Sequence, residues 1–279
     1  MRRLGDLFFH ILALAATGVL LALLAAIIGV IIVRGAGSVT WEMITKTPEG
    51  GFYLGGAGGI ANAIVGSLYI GIGATLLATL FSLPTVLFLR VYATPWFASL
   101  IRGLLDLLWG VPSIIYGAFC FILMIAVGMK TSLLAGIVVV ALLELPIMAR
   151  AVDEVFKLVP LELEEASAAL GATKLETALR VILRQAVPGV VTGALLAFGR
   201  GVGDAASVLL TAGFTDNIPR SLHEPAATLP LTVFYLMLTP GEDSMKRAYA
   251  AALILVVLVL ATSVLSRLLS AGLGKYTVR

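Results

Sequence analysis

The sequence predicts an all-α integral membrane protein with six transmembrane helices. The chain is 60% hydrophobic and only 13% charged, and its mean hydropathy is +1.07, a balance that places most residues in lipid. Several apolar runs exceed the roughly 20 residues that a helix needs to cross a bilayer. Because backbone groups in lipid must be hydrogen-bonded within their own segment, these runs are expected to be helical.

The apolar runs divide the chain into spans and connecting segments. We predict spans over residues 7–33, 62–89, 104–127, 132–149, 188–212 and 248–269. The third run is interrupted by GVPS at 110–113, which predicts either a packing kink or a break that faces protein or a water-filled path. Residues 90–102 are expected to form a short connector. Residues 35–59 and 213–247 are predicted to be external segments, and the apolar stretch 229–238 is too short to cross.

Basic residues give the predicted spans an orientation. Twelve Lys and Arg residues lie in inside segments, six in outside segments, and Arg200 lies within a span. Arg2 and Arg3 precede the first run, which is longer than the apolar core of a signal peptide and has no clear cleavage site, so we expect it to be retained. We therefore expect a cytoplasmic N-terminus and a cytoplasmic C-terminus with a basic tail at 272–279.

A polar segment at residues 159–189 interrupts the apolar pattern and predicts a helical hairpin on the cytoplasmic side. Gly171 fits a left-handed stop after the first helix. Thr173 and Glu176 have the spacing of a capping box that starts the second helix, and Glu176 and Arg180 can pair across one turn. The second helix carries an apolar face made of Leu175, Ala178, Leu179, Ile182 and Leu183. A hairpin this short buries little surface, so we expect it to lie against a partner.

Charged residues within the apolar runs are candidate functional residues. Arg200 lies in the predicted fifth span, with Asp204 one turn further along. A charge at that depth costs on the order of 3 kcal/mol or more, so it usually faces a partner, a cavity or a substrate path. Arg200 could offer a guanidinium fork to an oxyanion while Asp204 holds or releases it, or the two could form an ion pair that only aids packing. Asp106 and Glu144 lie near predicted cytoplasmic span ends and are expected at the membrane interface.

The sequence gives no positive sign of an enzyme. It has no G-x-x-x-x-G-K-[ST] phosphate loop, no G-x-S-x-G elbow and no H-E-x-x-H pair. Cys120 is the only cysteine, and His10 and His223 are far apart, so no disulfide or metal site is predicted. The net charge of +3 fits basic residues at cytoplasmic span ends better than a nucleic-acid partner. We expect no catalytic residue, metal or cofactor in this chain.

The polar segment carries a motif of a known family. Glu165-Ala166-Ser167, followed by Gly171 and by Val181 and Leu183, resembles the E-A-A…G motif of ABC importer permeases. The resemblance implies the type I importer permease fold, in which the hairpin is a pair of coupling helices that docks on an ATP-binding subunit. The coupling residues that it implies are Glu164, Glu165, Ala166, Ser167, Gly171 and Ala172.

Further stretches resemble the phosphate-specific permeases of the PstA type. They are GGIANAIVGSLYIG at 58–71, GVPSIIYG at 110–117 and GRGVGDAASVLLTAG at 199–213. The chain departs from the family at 203–207, where GDAAS replaces the usual G-E-T-A-P. Asp204 therefore replaces a glutamate that is one methylene longer, and this difference leaves the identity of the transported anion open. Arg184 replaces a proline, so the second hairpin helix is expected to continue toward Pro188.

The resemblance implies a permease subunit of an ATP-driven phosphate importer in the bacterial cytoplasmic membrane. The implied partners are a second homologous permease, a homodimeric ATP-binding subunit that carries ATP and Mg, an extracytoplasmic phosphate-binding protein, phosphate and the lipid bilayer. The chain would comprise an N-terminal helix and external loop at 1–57 and a permease domain at 58–279, with a coupling loop at about 153–187. The alternatives are a permease for phosphonate, sulfate or molybdate, an ion-coupled carrier, and a non-transporting scaffold.

Overall fold

A computed structural model describes residues 2–52 and 56–273 of the chain. Its α-helices are α1 (Arg2–Gly35), α2 (Trp41–Thr45), α3 (Ala61–Val91), α4 (Pro95–Trp109), α5 (Ser113–Ala126), α6 (Leu133–Lys157), α7 (Leu161–Ala169), α8 (Lys174–Glu176), α9 (Leu183–Val202), α10 (Leu229–Leu238) and α11 (Glu242–Leu273). A π-helical turn, Thr177–Ile182, joins α8 to α9 in one continuous helix, Lys174–Val202.

The six-span prediction agrees with the described helices. Five of these helices are long and apolar enough to cross a bilayer, namely α1, α3, α6, the α8–α9 helix and α11. The pair α4 and α5 makes a sixth apolar element, bent by 99° between its halves. Helix α10 is apolar but has only 10 residues, as expected of a stretch too short to cross.

Helices α3, α6 and α9 form the centre of the bundle, and α6 is the most buried of the candidate spans. Val139 and Val140 of α6 pack with Ile70 and Ala74 of α3 in one apolar cluster. In contrast, no residue of α1 from 6 to 34 is buried, and within that range only Ile28, Gly29 and Ile31 are half-buried. Helix α1 approaches α11 at Gly35, where an added Cβ would lie only 2.5 Å from the Tyr249 carbonyl oxygen.

The connector predicted at 90–102 is wrong, because only residues 92–94 separate α3 from α4. Thr94 caps α4 by accepting a hydrogen bond from the Phe97 N–H at 3.4 Å. Pro95 occupies the first turn, where a proline has no hydrogen bond to lose. Both signals are local caps, which a search for long apolar runs does not detect.

The predicted interruption at 110–113 is a sharp break rather than a mild kink. Gly110 ends α4, and Pro112 precedes the first residue of α5. The Tyr116 hydroxyl reaches back across the bend and donates a hydrogen bond to the Leu108 carbonyl at 2.7 Å. The same carbonyl also accepts a hydrogen bond from the Val111 N–H at 3.1 Å, so the hydroxyl is a further donor to a carbonyl group at the end of α4.

Two predicted spans have C-terminal ends that are wrong by eight and ten residues. The fourth predicted span stops at residue 149, whereas α6 continues to Lys157. The fifth was predicted over 188–212, whereas the helix ends at Val202 and residues 203–212 form turns. The turn segment reads as a continuous apolar run because residues such as Val208 and Ala212 fill the core, not because it is helical.

The first predicted external segment, residues 35–59, contains regular structure. It contains the short helix α2 and an antiparallel bridge between Pro48 and Gly58. Residues 53–55 of its glycine-rich part and residues 274–279 of the predicted basic tail lie outside the described residues.

Candidate substrate-path and coupling sites

Arg200 and Asp204 form the predicted ion pair. Arg200 Nη1 donates to Asp204 Oδ1 at 3.0 Å, and the Arg200 side chain is 47% exposed whereas that of Asp204 is 5% exposed. Arg200 lies in the last turn of α9, not near the middle of a span, and Asp204 follows the helix end. The guanidinium is therefore held by one buried carboxylate and still presents donors to an open surface.

Two breaks in helical structure meet at Asp204. Its Oδ2 accepts a hydrogen bond from the Ser207 N–H at 2.8 Å, within the turn segment 203–212. The Ser113 hydroxyl, at the start of α5, also interacts with this carboxylate. An added Cβ at Gly117 would lie 2.7 Å from the Ser207 carbonyl oxygen, so α5 and the turn segment are in backbone contact. Non-helical backbone at membrane depth is tolerated where protein buries it or where it lines a cavity.

The predicted interface position is wrong for Glu144 and agrees with the exposure of Asp106. Glu144 is fully buried in α6, where its Oε2 accepts a hydrogen bond from the Thr75 hydroxyl at 2.9 Å. The Asp106 side chain is half exposed and pairs with Arg150 Nε at 3.0 Å. The predicted positions of Glu144 and Asp106 depend on their distance from a predicted span end. The prediction for Glu144 is wrong because the fourth span was predicted to end at residue 149, whereas α6 continues to Lys157.

The hairpin has the turn chemistry that its sequence predicts. Gly171 has φ +82°, its N–H donates to Ala168 O at 2.9 Å, and the Ala172 N–H donates to Ser167 O at 3.2 Å. These two bonds are a Schellman motif, which explains the glycine after α7. Thr173 and Glu176 then form the predicted capping box at the start of α8. The distance from Glu176 Oε1 to Arg180 Nη1 is 3.9 Å, so the predicted pair forms at the limit of an ion pair.

The predicted apolar face of the second hairpin helix is only partly buried. Ala178 and Ile182 are buried against the bundle, but Leu175 and Leu179 are 55% and 48% exposed. The π-helical turn changes the helical register between these residues, so a regular 3.6-residue pattern does not describe the face. The helix continues through Pro188, which confirms the extension predicted from Arg184.

Two contacts fasten the hairpin to itself and to the spans. The Ser167 and Thr177 hydroxyl oxygens lie 2.9 Å apart and join α7 to the second helix. Glu164 pairs with Arg90 at the end of α3, and both side chains are about three-quarters buried. The family resemblance implies a docking role for Glu164. The sequence does not indicate Arg90 as its partner, because no local pattern relates residues that lie 74 positions apart.

Of the remaining predicted coupling residues, Glu165, Ala166 and Gly171 lie on the open surface of the hairpin, whereas Ala172 is half-buried. Glu165 and Ala166 are exposed on α7, beside Leu170, whose side chain is 89% exposed. Because the hairpin lies between spans, we expect no lipid to cover Leu170, and the rest of the described chain leaves it exposed. An exposed apolar patch of this kind is typical of a protein interface.

The fold and these sites together define a membrane-embedded transport component with a hairpin suited to docking. Residues 82–275 match the family described as binding-protein-dependent transport system inner membrane component, and the chain belongs to this family.

Individual relatives in this family include phosphate transport permeases. The chain is 34% identical over 248 residues to the phosphate transport system permease protein PstA of Mycobacterium leprae (strain TN), with 87% of this chain and 82% of that protein covered. It is 34% identical over 215 residues to the PstA protein of Yersinia pestis, with 77% and 73% covered. It is 28% identical over 259 residues to the probable ABC transporter permease protein YqgI of Bacillus subtilis (strain 168), with 86% and 87% covered.

A solved structure supports the fold. A chain of the MetNI methionine ABC transporter, in an inward-facing conformation, matches with a TM-score of 0.62 at 21% identity. The match covers 77% of this chain and 95% of that one. Together with the family match, this likeness assigns the type I ABC importer permease fold.

Proposed function

We propose that this chain is one permease subunit of an ATP-driven phosphate importer, in which it forms half of the translocation path. The observation that carries the proposal is the half-exposed Arg200 guanidinium at the end of an apolar helix. A guanidinium cannot face lipid at low cost, so its open side must face water, substrate or a second subunit. The PstA relatives supply the substrate class.

Arg200 and Asp204 would act together on phosphate. The guanidinium offers two parallel N–H donors that match the oxygens of a tetrahedral oxyanion. Asp204 keeps the guanidinium oriented through the 3.0 Å ion pair when no anion is bound. Phosphate at neutral pH retains a proton that can donate to a carboxylate, whereas sulfate has none and is repelled. The pair therefore favours phosphate over a fully ionised anion.

The hairpin would connect the path to ATP hydrolysis in a partner subunit. We assign the docking surface to exposed side chains of the hairpin: Glu165 and Ala166 on α7, Leu170 directly after it, and Leu175 and Leu179 on the second helix. We propose that a dimeric ATP-binding subunit, which holds the ATP and Mg, covers this surface. The second helix continues into α9, so movement of the hairpin would reach Arg200 along one helix.

We propose the other parts of the assembly from the exposure of Arg200, the distribution of basic residues and the PstA relatives. Arg200 faces an open side of a single chain, so a second homologous permease would close the path there. We propose that both termini and the hairpin lie in the cytoplasm of a bacterium, and that an extracytoplasmic phosphate-binding protein delivers the anion to the opposite side. The positive-inside distribution of Lys and Arg supports this orientation.

Anion selectivity tests the proposed substrate. The complex, reconstituted in vesicles with its ATP-binding and phosphate-binding partners, is expected to hydrolyse ATP faster with phosphate than with sulfate, molybdate or methylphosphonate. Equal or greater stimulation by one of those anions, each supplied with a matching binding protein, would show that the substrate is wrong. Transport without an ATP-binding subunit would favour an ion-coupled carrier instead.

A further inference from the structure

We propose that Glu144 is a positioning residue for Arg200, which it serves by fixing how the end of α9 packs against α6 and α3. The proposal rests on the proposed role of Arg200 in the substrate path. Its evidence is a buried carboxyl group in α6 that touches bare backbone next to Arg200.

One carboxylate oxygen of Glu144 has a hydrogen-bond donor, and the other has none among the described residues. Its side chain is completely buried, and the Thr75 hydroxyl of α3 donates to its Oε2 at 2.9 Å. Within the described part of the chain, no donor reaches its Oε1. A buried polar atom without a partner costs about 1–3 kcal/mol, so its presence in a helix core calls for a structural or functional reason.

The free oxygen points at the backbone of α9. An added Cβ at Gly201 would overlap Glu144 Oε1 and would lie 2.8 Å from a methyl carbon of Val140. Gly201 itself is buried. The flat carboxyl group thus occupies the space that a side chain at residue 201 would need.

A second close contact fixes α9 from the side of α3. An added Cβ at Gly71 would lie 2.8 Å from the Phe198 ring and would overlap a methyl group of Val202. Helix α3 also supplies the Thr75 hydroxyl to Glu144. The last turn of α9 is therefore held between α3 and α6, and Arg200 is the residue of that turn that projects to an open surface.

This arrangement makes Arg200 sensitive to Glu144 without contact between their side chains. A displacement of about 1 Å at a binding group can reduce a rate by roughly a hundredfold. A methyl group at residue 201 would push α9 away from α6. Removal of the Glu144 side chain would relieve the closest clash and leave only the 2.8 Å approach to the Val140 methyl carbon, which a small shift of that side chain can relieve.

The test is a suppressor experiment in the reconstituted complex. Gly201→Ala is expected to reduce the maximal phosphate uptake rate at least about tenfold. The double variant Gly201→Ala with Glu144→Ala is expected to recover to within about threefold of Glu144→Ala alone. Gly199→Ala is the matched control, because an added Cβ there meets no atom within 4 Å. A double variant no better than Gly201→Ala would overturn the proposal.

Apparent affinity separates positioning from general stability. Glu144→Ala is expected to raise the half-saturating phosphate concentration about fivefold, and Glu144→Gln, which keeps the planar shape and an acceptor for Thr75, to change it less than about twofold. Val86→Ala opens a cavity elsewhere in α3 and is expected to lower stability without this change, since Val86 belongs to a different core cluster. An unchanged half-saturating concentration in Glu144→Ala would refute the positioning role.

Thermal unfolding of the detergent-purified complex tests the contact between Glu144 and Gly201 in the absence of substrate. Gly201→Ala is expected to lower the Tm, and the added Glu144→Ala to restore part of the loss. This pattern would persist if the complex carried a different anion, so it distinguishes an error about the contact from an error about phosphate. A Tm for Gly201→Ala equal to that of the wild type would overturn the contact.

Discussion

Reversal of the Arg90–Glu164 ion pair is expected to uncouple the hairpin from the spans. This pair joins the last turn of α3 to α7 and connects residues 74 positions apart. Arg90→Glu or Glu164→Arg places two like charges together at this junction. The double variant Arg90→Glu with Glu164→Arg restores opposite charges at the same two positions.

The burial of the pair sets the size of the effect. The Arg90 and Glu164 side chains are 21% and 23% exposed. Exposed ion pairs contribute about 0.2–1 kcal/mol, whereas breaking a fully buried pair costs about 3–5 kcal/mol. We expect an intermediate loss of about 2 kcal/mol for either single reversal, which is roughly a 30-fold change in the equilibrium between attached and detached α7.

The assay is ATP-driven phosphate uptake per ATP hydrolysed, measured on the reconstituted complex. Each single reversal is expected to lower this ratio about tenfold, and the double variant to return to within about threefold of the wild type. Glu162→Arg is the control, because Glu162 is an exposed residue on the same helix. The reasoning is refuted if the double reversal is no better than the worse single variant, or if Glu162→Arg lowers the ratio as much as Glu164→Arg.

Two further variants test the supports of the coupling region. Arg102→Ala removes the guanidinium that donates to both oxygens of the Asp153 carboxylate, at 2.9–3.2 Å. The Asp153 side chain is 5% exposed and would keep Lys157 at 3.0 Å and Arg150 at 4.0 Å, neither of which replaces the two-oxygen contact. We therefore expect a loss of about 2 kcal/mol, seen as a lower Tm of the purified complex; an unchanged Tm would contradict this. Thr173→Ala removes the N-cap of α8 and is expected to cost about 1 kcal/mol, seen as roughly fivefold faster amide exchange at Glu176. Thr173→Ser keeps the hydroxyl and should exchange at the wild-type rate, and equal exchange in both variants would contradict the cap.

Much of the hairpin could be predicted from sequence because its signals are local. The capping box at Thr173 and the left-handed turn at Gly171 are each decided by a few neighbouring residues. The replacement at Arg184 also predicted a continuous helix correctly. The exposure of Leu175 and Leu179 could not be predicted in the same way, because the π-helical turn, which begins at Thr177 and contains Leu179, has no simple sequence signal.

The span boundaries could be predicted less well, because hydropathy reports burial and not secondary structure. The turn segment 203–212 is apolar because it packs inside the bundle, and so it was assigned to a helix. The start of α4 lacked a long apolar run and was assigned to a connector.

Within the candidate site, the sequence identified Arg200 and Asp204 as unusual charges and their spacing predicted the pair. The sequence also identified Glu144 as a candidate residue, but the predicted position at the membrane interface was wrong, because Glu144 is buried. Its contact with Thr75 and its fit against Gly201 depend on the packing of three helices, which residue spacing along one chain does not specify.

The most direct test of the proposed function is ATP-dependent uptake of radiolabelled phosphate into vesicles that hold equal amounts of assembled wild-type or Arg200→Ala complex. The wild type is expected to accumulate phosphate, and Arg200→Ala to accumulate it at least about a hundredfold more slowly while still assembling with its ATP-binding partner. Wild-type rates of phosphate uptake in Arg200→Ala would contradict the assignment of Arg200 to the substrate path.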